Sequence, residues 1–300
     1  MKELKLDDIC SGNCYHICTN GLETNVIIRD RKDFTIAHNY LALSGWQTQI
    51  RIMAFTIMSN HVHVLVSCSG REQAEKFIRL FKRLYSTHLF NEYNMSNTLR
   101  GIKDSITLID DISYFRSCVA YILRNALCAR ICKKVEDYPW SSYSCYFSET
   151  KQNSKKISDL GPRQRREILK TRQDLRQCPY LIGDDRKIDA KSFVCYEVVE
   201  KSFLNSGKYF LSCLGNCNDA KMEYEMTYKP HISINDVELT EIIEKIVQTK
   251  YYGKRISELT HSEKCSTIKQ IYFNNKASIP QLSRILRLPK DLIRQILNQI

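Results

Sequence analysis

Two histidines two residues apart, His61 and His63, stand inside the β-branched run FTIMSNHVHVLVS, residues 55–67. Side chains alternate along a strand, so Val62, Val64 and Val66 share one face and the two imidazoles share the other, about 7 Å apart by the strand rise. The valines want the core. Two imidazoles at i, i+2 on a rigid strand can converge on one metal ion. Such an ion needs a third protein ligand and something to act on, and the run DISYFRSCVAYILRNALCARIC, 111–132, offers both. Phe115, Val119, Ile122 and Ala126 recur at helical spacing and make a core stripe, while Tyr121 and Asn125 lie one turn apart on an adjoining face. The amide oxygen of Asn125 is a candidate hard ligand. A phenol is a poor nucleophile at its free pKa of about 10 and needs help, and a metal-polarised phosphodiester is a suitable electrophile for it. With 17 tyrosines and 7 histidines in the chain neither pair is specific alone. A half-buried tyrosine beside a helix-surface asparagine is the plain alternative.

The elements that would position these residues follow from periodicity. CYHICTN (14–20) reads as a strand. DRKDFTIAHNYLALSG (30–45) reads as a helix stopped by Gly45. TQIRIMAFTIM (48–58) and HVHVLV (61–66) read as two strands joined at Ser59-Asn60. REQAEKFIRLFKRLYSTHLFNEY (71–93) is a long amphipathic helix with Phe77, Leu80, Phe81, Leu84 and His88 on one stripe. SITLID (105–110) is a fourth strand, and Asp111 caps the helix that follows. The order β-α-β-β-α-β-α predicts an α+β, ferredoxin-like antiparallel sheet with an extra helix.

The chain of 300 residues carries 45 basic and 33 acidic side chains, a net charge of +12, which favours a polyanionic partner. No run approaches the ~18 apolar residues of a membrane span and the N-terminus has no signal-peptide core, so the expected location is cytoplasmic, at the nucleoid, with nucleic acid as partner and no membrane. Thirteen scattered cysteines argue for reduced thiols. Cys10, Cys14 and Cys18 have a spacing that iron–sulfur motifs do not use, and small buried thiols are the preferred reading. His16, His38, His88, His231 and His261 fall in no convincing ligand pattern. The domain divisions expected are 1–150, a basic and poorly defined segment 151–233, and a helical tail 234–300. Within the second, residues 151–176 carry nine basic and three acidic side chains, among them Arg163, Arg165 and Arg166. This is either a solvated charged face or a set of phosphate contacts.

Several short motifs, in order, carry a family resemblance: CYHICTNG, FTIMSNHVHVLV, FKRLYSTHLFNEYN, NTLRGIK, CVAYILRNALCARI and VEDYPWSSYSCY. Over residues of about 10–147 the chain resembles the HUH-type single-tyrosine transposases, and most closely the REP-associated tyrosine transposase branch. The resemblance implies that His61 and His63 bind a divalent metal, that Tyr121 is the nucleophile and that Asn125 is the third ligand. It departs at Ser59 and Ala126, where the family usually has proline, and both positions tune backbone rather than chemistry. The implied reaction is cleavage of single-stranded or hairpin DNA with Mg²⁺ or Mn²⁺, through a 5′-phosphotyrosine and a free 3′-OH that can rejoin DNA. No nucleoside triphosphate is required, and no G-x-x-x-x-G-K-[ST] loop is present in the sequence.

Outside that resemblance, KASIPQLSRILRLPKDLIRQILNQI (276–300) reads as helix, turn, helix, with five basic residues against one acidic. Lys290, Arg294 and Gln295 would lie on a recognition helix, the alternative being a helical bundle for homodimer contacts. Lys82, Arg83 and Lys103 are further candidate DNA contacts. The rival functions are a DNA-binding regulator that no longer transposes and, less well supported, a metal hydrolase of small molecules.

Overall fold

The computed structural model describes residues 4–19, 26–96, 99, 104–149, 153–215, 236–255, 258–275, 277, 279–286 and 288–298. The chain packs as two units, 1–218 and 219–300.

The first unit is built on β1 (Asn13–Thr19), β2 (Arg51–Ile57), β3 (Val62–Cys68) and β4 (Asp104–Ile109), with α1 (Arg31–Thr48), α2 (Arg71–Tyr93) and α3 (Ile112–Cys128) between and after them. The strand order is β2-β3-β1-β4 and every pair is antiparallel, which is the ferredoxin-like arrangement expected from the element order. Asp111 accepts the backbone N–H of Tyr114 and caps α3 as the sequence suggested; Asp30 does the same for α1 through Asp33.

Alternation sorts the sheet into two faces. Ile17, Val64, Val66 and Phe55 lie on one, under α1 and α2. Cys14, His16, Cys18, His63, Leu65 and Thr56 lie on the other, under α3. Phe115, Val119, Ile122 and Ala126 are completely buried, so the core stripe of α3 is as its periodicity reads. Gly45 is different. It does not stop α1, which runs on to Thr48 and ends at Gln49 in a left-handed conformation. A Cβ at Gly45 would stand 3.0 Å from Cδ1 of Ile52, so the glycine lets the helix lie close against β2.

The outer edge of β2 is covered rather than left open. Ile57 N–H donates to the Trp140 carbonyl, Ser142 N–H to that of Phe55, and Cys195 N–H to that of Ile52. Tyr138 and Tyr146 donate their hydroxyls to the carbonyls of Ile57 and Met53. The motif DYPWSSYSCY thus serves as an edge strap that satisfies backbone groups and blocks foreign strand pairing.

Residues 154–215, which composition reads as part of a basic and poorly defined segment, form a folded layer on this sheet. It contains β5 (Ser154–Lys156), α4 (Pro162–Leu169), β6 (Leu181–Gly183), α5 (Tyr196–Ser202) and α6 (Gly207–Gly215). The carbonyls of Lys170, Arg186 and Ile188 hydrogen-bond Tyr40, Asn39 and His38 of α1. At the other end α5 and α6 pack on α3, with Phe203, Phe210 and Leu214 buried. Arg116 and Arg124 of α3 donate to the carbonyls of Ser202 and Leu214.

The described residues of the second unit form four helices: α7 (Asp236–Lys250), α8 (His261–Asn275), α9 (Ile279–Leu286) and α10 (Lys290–Asn298). Leu239, Ile243, Val247, Ile268, Ile271, Leu282, Leu286 and Ile293 make its core. Leu282 and Leu286 of α9 and Ile293 and Ile296 of α10 turn inward to that core.

Phe203 is wholly buried against the α3 layer. Phe203→Ala is expected to lower stability by about 3–5 kcal/mol, the usual cost of removing a core phenyl. A urea midpoint equal to that of the parent chain would mean that residues 154–215 do not fold as one with the sheet.

Candidate active site

The site is a cluster of imidazoles roofed by α3. His63 lies on β3 directly across from Cys18 of β1, and His16 lies one diagonal away on the same face. The His61 and His63 rings stand 4.8 Å apart between centroids, edge to face, closer than the strand rise alone would place them. His61 precedes β3 in the turn that Met58 N–H closes onto the His61 carbonyl, so its ring is free to lean toward His63.

Tyr121 enters from α3. Its ring meets the His63 ring edge-on at 5.4 Å and the His16 ring at 6.0 Å. Thr56 sets the height of the helix: its hydroxyl donates to the Ile122 carbonyl at 2.7 Å, immediately beside the tyrosine. Asn125, one turn further along, hydrogen-bonds His61 with its side chain. The four residues that spacing and resemblance singled out thus lie together in one chain.

The imidazoles are neutral. Burial pushes His61 down to about 4, with the Asn125 hydrogen bond acting the other way. Burial alone takes His16 to about 3. His63 is held well below its ordinary value by burial, with His61 and His16 adding to the effect. Neutral imidazoles offer lone pairs at physiological pH with no proton to lose first, which suits a metal-binding donor set. Among the described residues, no group of three or more His, Cys, Asp or Glu is placed to hold a metal ion. His61, His63 and Asn125 together offer two imidazole nitrogens and an amide oxygen as donors. With an amide oxygen and two imidazoles, that set fits Mn²⁺ more comfortably than Mg²⁺.

His16 and Cys18 are the residues that sequence reasoning missed. Their i, i+2 spacing in CYHICTN was the available signal; only the β1–β3 register turns it into proximity. His16 Nε2 is 3.1 Å from His63 Nδ1, the two rings stack at 5.2 Å, and Cys18 Sγ is 3.9 Å from His63 Nε2.

The basic candidates lie elsewhere. Lys82 pairs with Asp104 at 3.0 Å, and Arg83 is exposed beside a groove of about 810 Å³ that Arg71 and Arg79 also line. Both are on α2, in the layer opposite α3. Arg163, Arg165 and Arg166 lie on α4, which packs on α1 in that same layer. Arg163 and Arg166 are exposed; Arg165 is half-buried with a buried Nη1 that has no partner among the described residues. In the helical unit Gln295 and Arg294 are exposed, Arg294 pairing with Asp291. Lys103 and the side chain of Lys290 lie outside the described residues.

Residues 15–103 match the family model described as "Transposase IS200 like". The resemblance read from the motifs is thus borne out over that span, which is similar to a single-tyrosine transposase. The matched span contains His16, His61 and His63 and ends before the helix that carries Tyr121 and Asn125. A solved structure of a REP-associated tyrosine transposase bound to a REP hairpin is also similar, at a TM-score of 0.38 and 16% identity, covering 48% of this chain and 81% of that one. No curated protein matches the chain. Among the described residues no helix is long and apolar enough to cross a membrane.

The neutral imidazoles make stability depend on pH. His16 and His38 in the fold are lowered to about 3 and His61 to about 4, from an ordinary 6.5. Between those limits the unfolded chain binds more protons, so stability is full above about pH 6.5 and is lost as pH falls. Each such imidazole adds to that loss. Urea midpoints should drop steadily from pH 7 to pH 5. A flat profile would mean that the imidazoles take up protons within the fold.

Proposed function

We propose that the first unit cleaves and rejoins single-stranded DNA by transient attachment to Tyr121, in the manner of a transposase. The observation that carries this reading is the meeting of Tyr121 with the His61–His63 pair in one chain, with Asn125 one turn away. The family match over residues 15–103 supports the same reading.

In this reading His61, His63 and Asn125 would hold Mg²⁺ or Mn²⁺, which supplies charge neutralisation at a scissile phosphate. The chain's own residues do the rest. The Tyr121 oxygen attacks phosphorus, the bond from phosphorus to the 3′ oxygen breaks, and the phenolic proton is balanced by the new 3′-OH. The 5′ phosphate stays on Tyr121, and a 3′-OH from the same or another strand reverses the step and releases the phenol. The phosphodiester bond energy is conserved in the phosphotyrosine, so the strand can be joined again without a nucleotide cofactor. The fixed seat of α3, pinned by Thr56, limits how far the phenol can move from the imidazoles.

The helical unit is read as a DNA-binding module in which α9 and α10 form a helix-turn-helix, exposing Arg294 and Gln295 for the major groove. Its partner would be duplex or hairpin DNA, while the first unit acts on a single strand. The solved relative bound to a REP hairpin makes hairpin DNA the first substrate to try. A regulator that binds DNA without cutting it would keep the second unit and need none of the geometry of the first.

Tyr121→Phe should abolish a covalent DNA adduct on denaturing gels while leaving hairpin binding within about threefold of the parent, since only the nucleophile is lost. Excess EDTA should suppress the parent's adduct equally. An adduct that persists in the variant on Tyr85 or Tyr93 would overturn the assignment, although Tyr85 is buried with its hydroxyl on the Ile27 carbonyl and Tyr93 is bound to Asp33.

Deletion of residues 234–300 should weaken hairpin binding and flatten its salt dependence, because fewer counterions are then displaced from the phosphates. Unchanged affinity and salt slope would make the helical unit something other than a DNA-binding module.

A further inference from the structure

Each ring of the His61–His63 pair is anchored by its Nδ1. His61 Nδ1 is 2.7 Å from Oδ1 of Asn60, an oxygen that can only accept, and the Asn125 side chain makes a second hydrogen bond to the same ring. His63 Nδ1 is 3.1 Å from Nε2 of His16, a group that can accept or donate. The His16 ring is 1% exposed, lies parallel to His63 within 8°, and its own Nδ1 is buried without a hydrogen-bond partner among the described residues. A buried polar atom is seldom left unpaired, and where it is, its neighbourhood is worth explaining. A residue that only filled space between β1, β3 and α3 would be apolar, since an orphaned imidazole nitrogen costs free energy that a phenyl ring does not.

We infer that His16 is a positioning residue that accepts the Nδ1–H of His63 and so presents His63 Nε2 as a metal ligand, matching on β1 what Asn60 does for His61. This rests on the reading of His61 and His63 as ligands given above. A histidine ligand depends on the partner of its other nitrogen for tautomer and ring direction, and loss of such a partner usually weakens metal binding by about 10–100-fold. The inference also accounts for the stacking. The rings lie within 8° of parallel with the contact nitrogens 3.1 Å apart, and His63 cannot rotate without breaking that contact. Cys18, 3.9 Å from His63 Nε2, closes the other side of the ring with a weak sulfur contact that a cation can displace.

The test is direct Mn²⁺ binding to the full chain, followed by the loss of free Mn²⁺ signal in electron paramagnetic resonance, which needs no DNA and no turnover. Four chains are compared: the parent, His61→Ala, His16→Phe and His16→Gln. Phenylalanine keeps the stacked ring and removes the acceptor; glutamine removes the ring and restores an acceptor oxygen. His16→Phe is expected to raise the Mn²⁺ dissociation constant at least tenfold. His16→Gln is expected to recover most of that loss. Folding is checked by near-ultraviolet circular dichroism, and ¹⁵N-labelled histidine spectra of the Mg²⁺-loaded parent should show His63 protonated at Nδ1. Unchanged affinity in His16→Phe, equal loss in both His16 variants, or His63 protonated at Nε2 with the cation bound would each overturn the inference. If His61→Ala binds Mn²⁺ as the parent does, the ligand reading itself fails; if it loses binding while His16→Phe does not, only the role of His16 fails.

Discussion

The site exists because a polar sheet face is covered by an apolar helix stripe. His16, Cys18, His63 and Thr56 would favour water if that face were open, and Phe115, Val119, Ile122 and Ala126 would favour anything else. Packing α3 on the sheet resolves the second preference at the cost of desolvating the first group. Neutral imidazoles are the result, and neutrality is the protonation state in which they can serve as ligands. The same contact delivers Tyr121 to the rings. A single hydroxyl, that of Thr56 on the Ile122 carbonyl, fixes where along the sheet that delivery occurs. Removing the helix would therefore take away Tyr121, Asn125 and the dry environment of the imidazoles together.

The remaining parts of the first unit hold that contact in place. Residues 138–146 and 194–195 finish the backbone pairing of β2, the strand that carries Thr56. The folded layer 154–215 begins on α1 and ends on the outer side of α3, where Arg116 and Arg124 reach its carbonyls. Helix α3 is thus clamped from both sides, sheet below and α5–α6 above. Helix α3 has little freedom to leave its own sheet, and that is the physical basis for treating the site as complete within one chain.

Much of this was legible in the sequence, for reasons that can be named. The sheet order follows from β-α-β-β-α-β connectivity, and the buried faces of α2 and α3 follow from helical spacing, because both are local signals. His61, His63, Tyr121 and Asn125 came from spacing joined to ordered motifs. Gly45 was misread as a helix stop because a glycine that permits close packing on β2 looks, in one dimension, like a glycine that ends a turn. His16 was missed because its partner is 47 residues away and only the β1–β3 register brings them together. The layer 154–215 was read as a basic linker because its apolar anchors, such as Phe193, Phe203 and Phe210, are sparse and follow no single period. Such residues bury themselves against surfaces supplied by other elements, and composition alone does not reveal those surfaces.

In this structure one chain supplies the imidazoles and the phenol alike. Mixing two inactive chains tests it most directly. On the proposed reading His61→Ala would lack a ligand and Tyr121→Phe the nucleophile, so neither alone should form an adduct with hairpin DNA in the presence of Mn²⁺. If α3 is seated on its own sheet, the mixture should remain as inactive as either chain, while the parent at equal concentration forms the phosphotyrosine adduct. Recovery of the adduct on mixing would mean that the tyrosine of one chain reaches the histidines of another, and the clamp described for α3 would then be wrong.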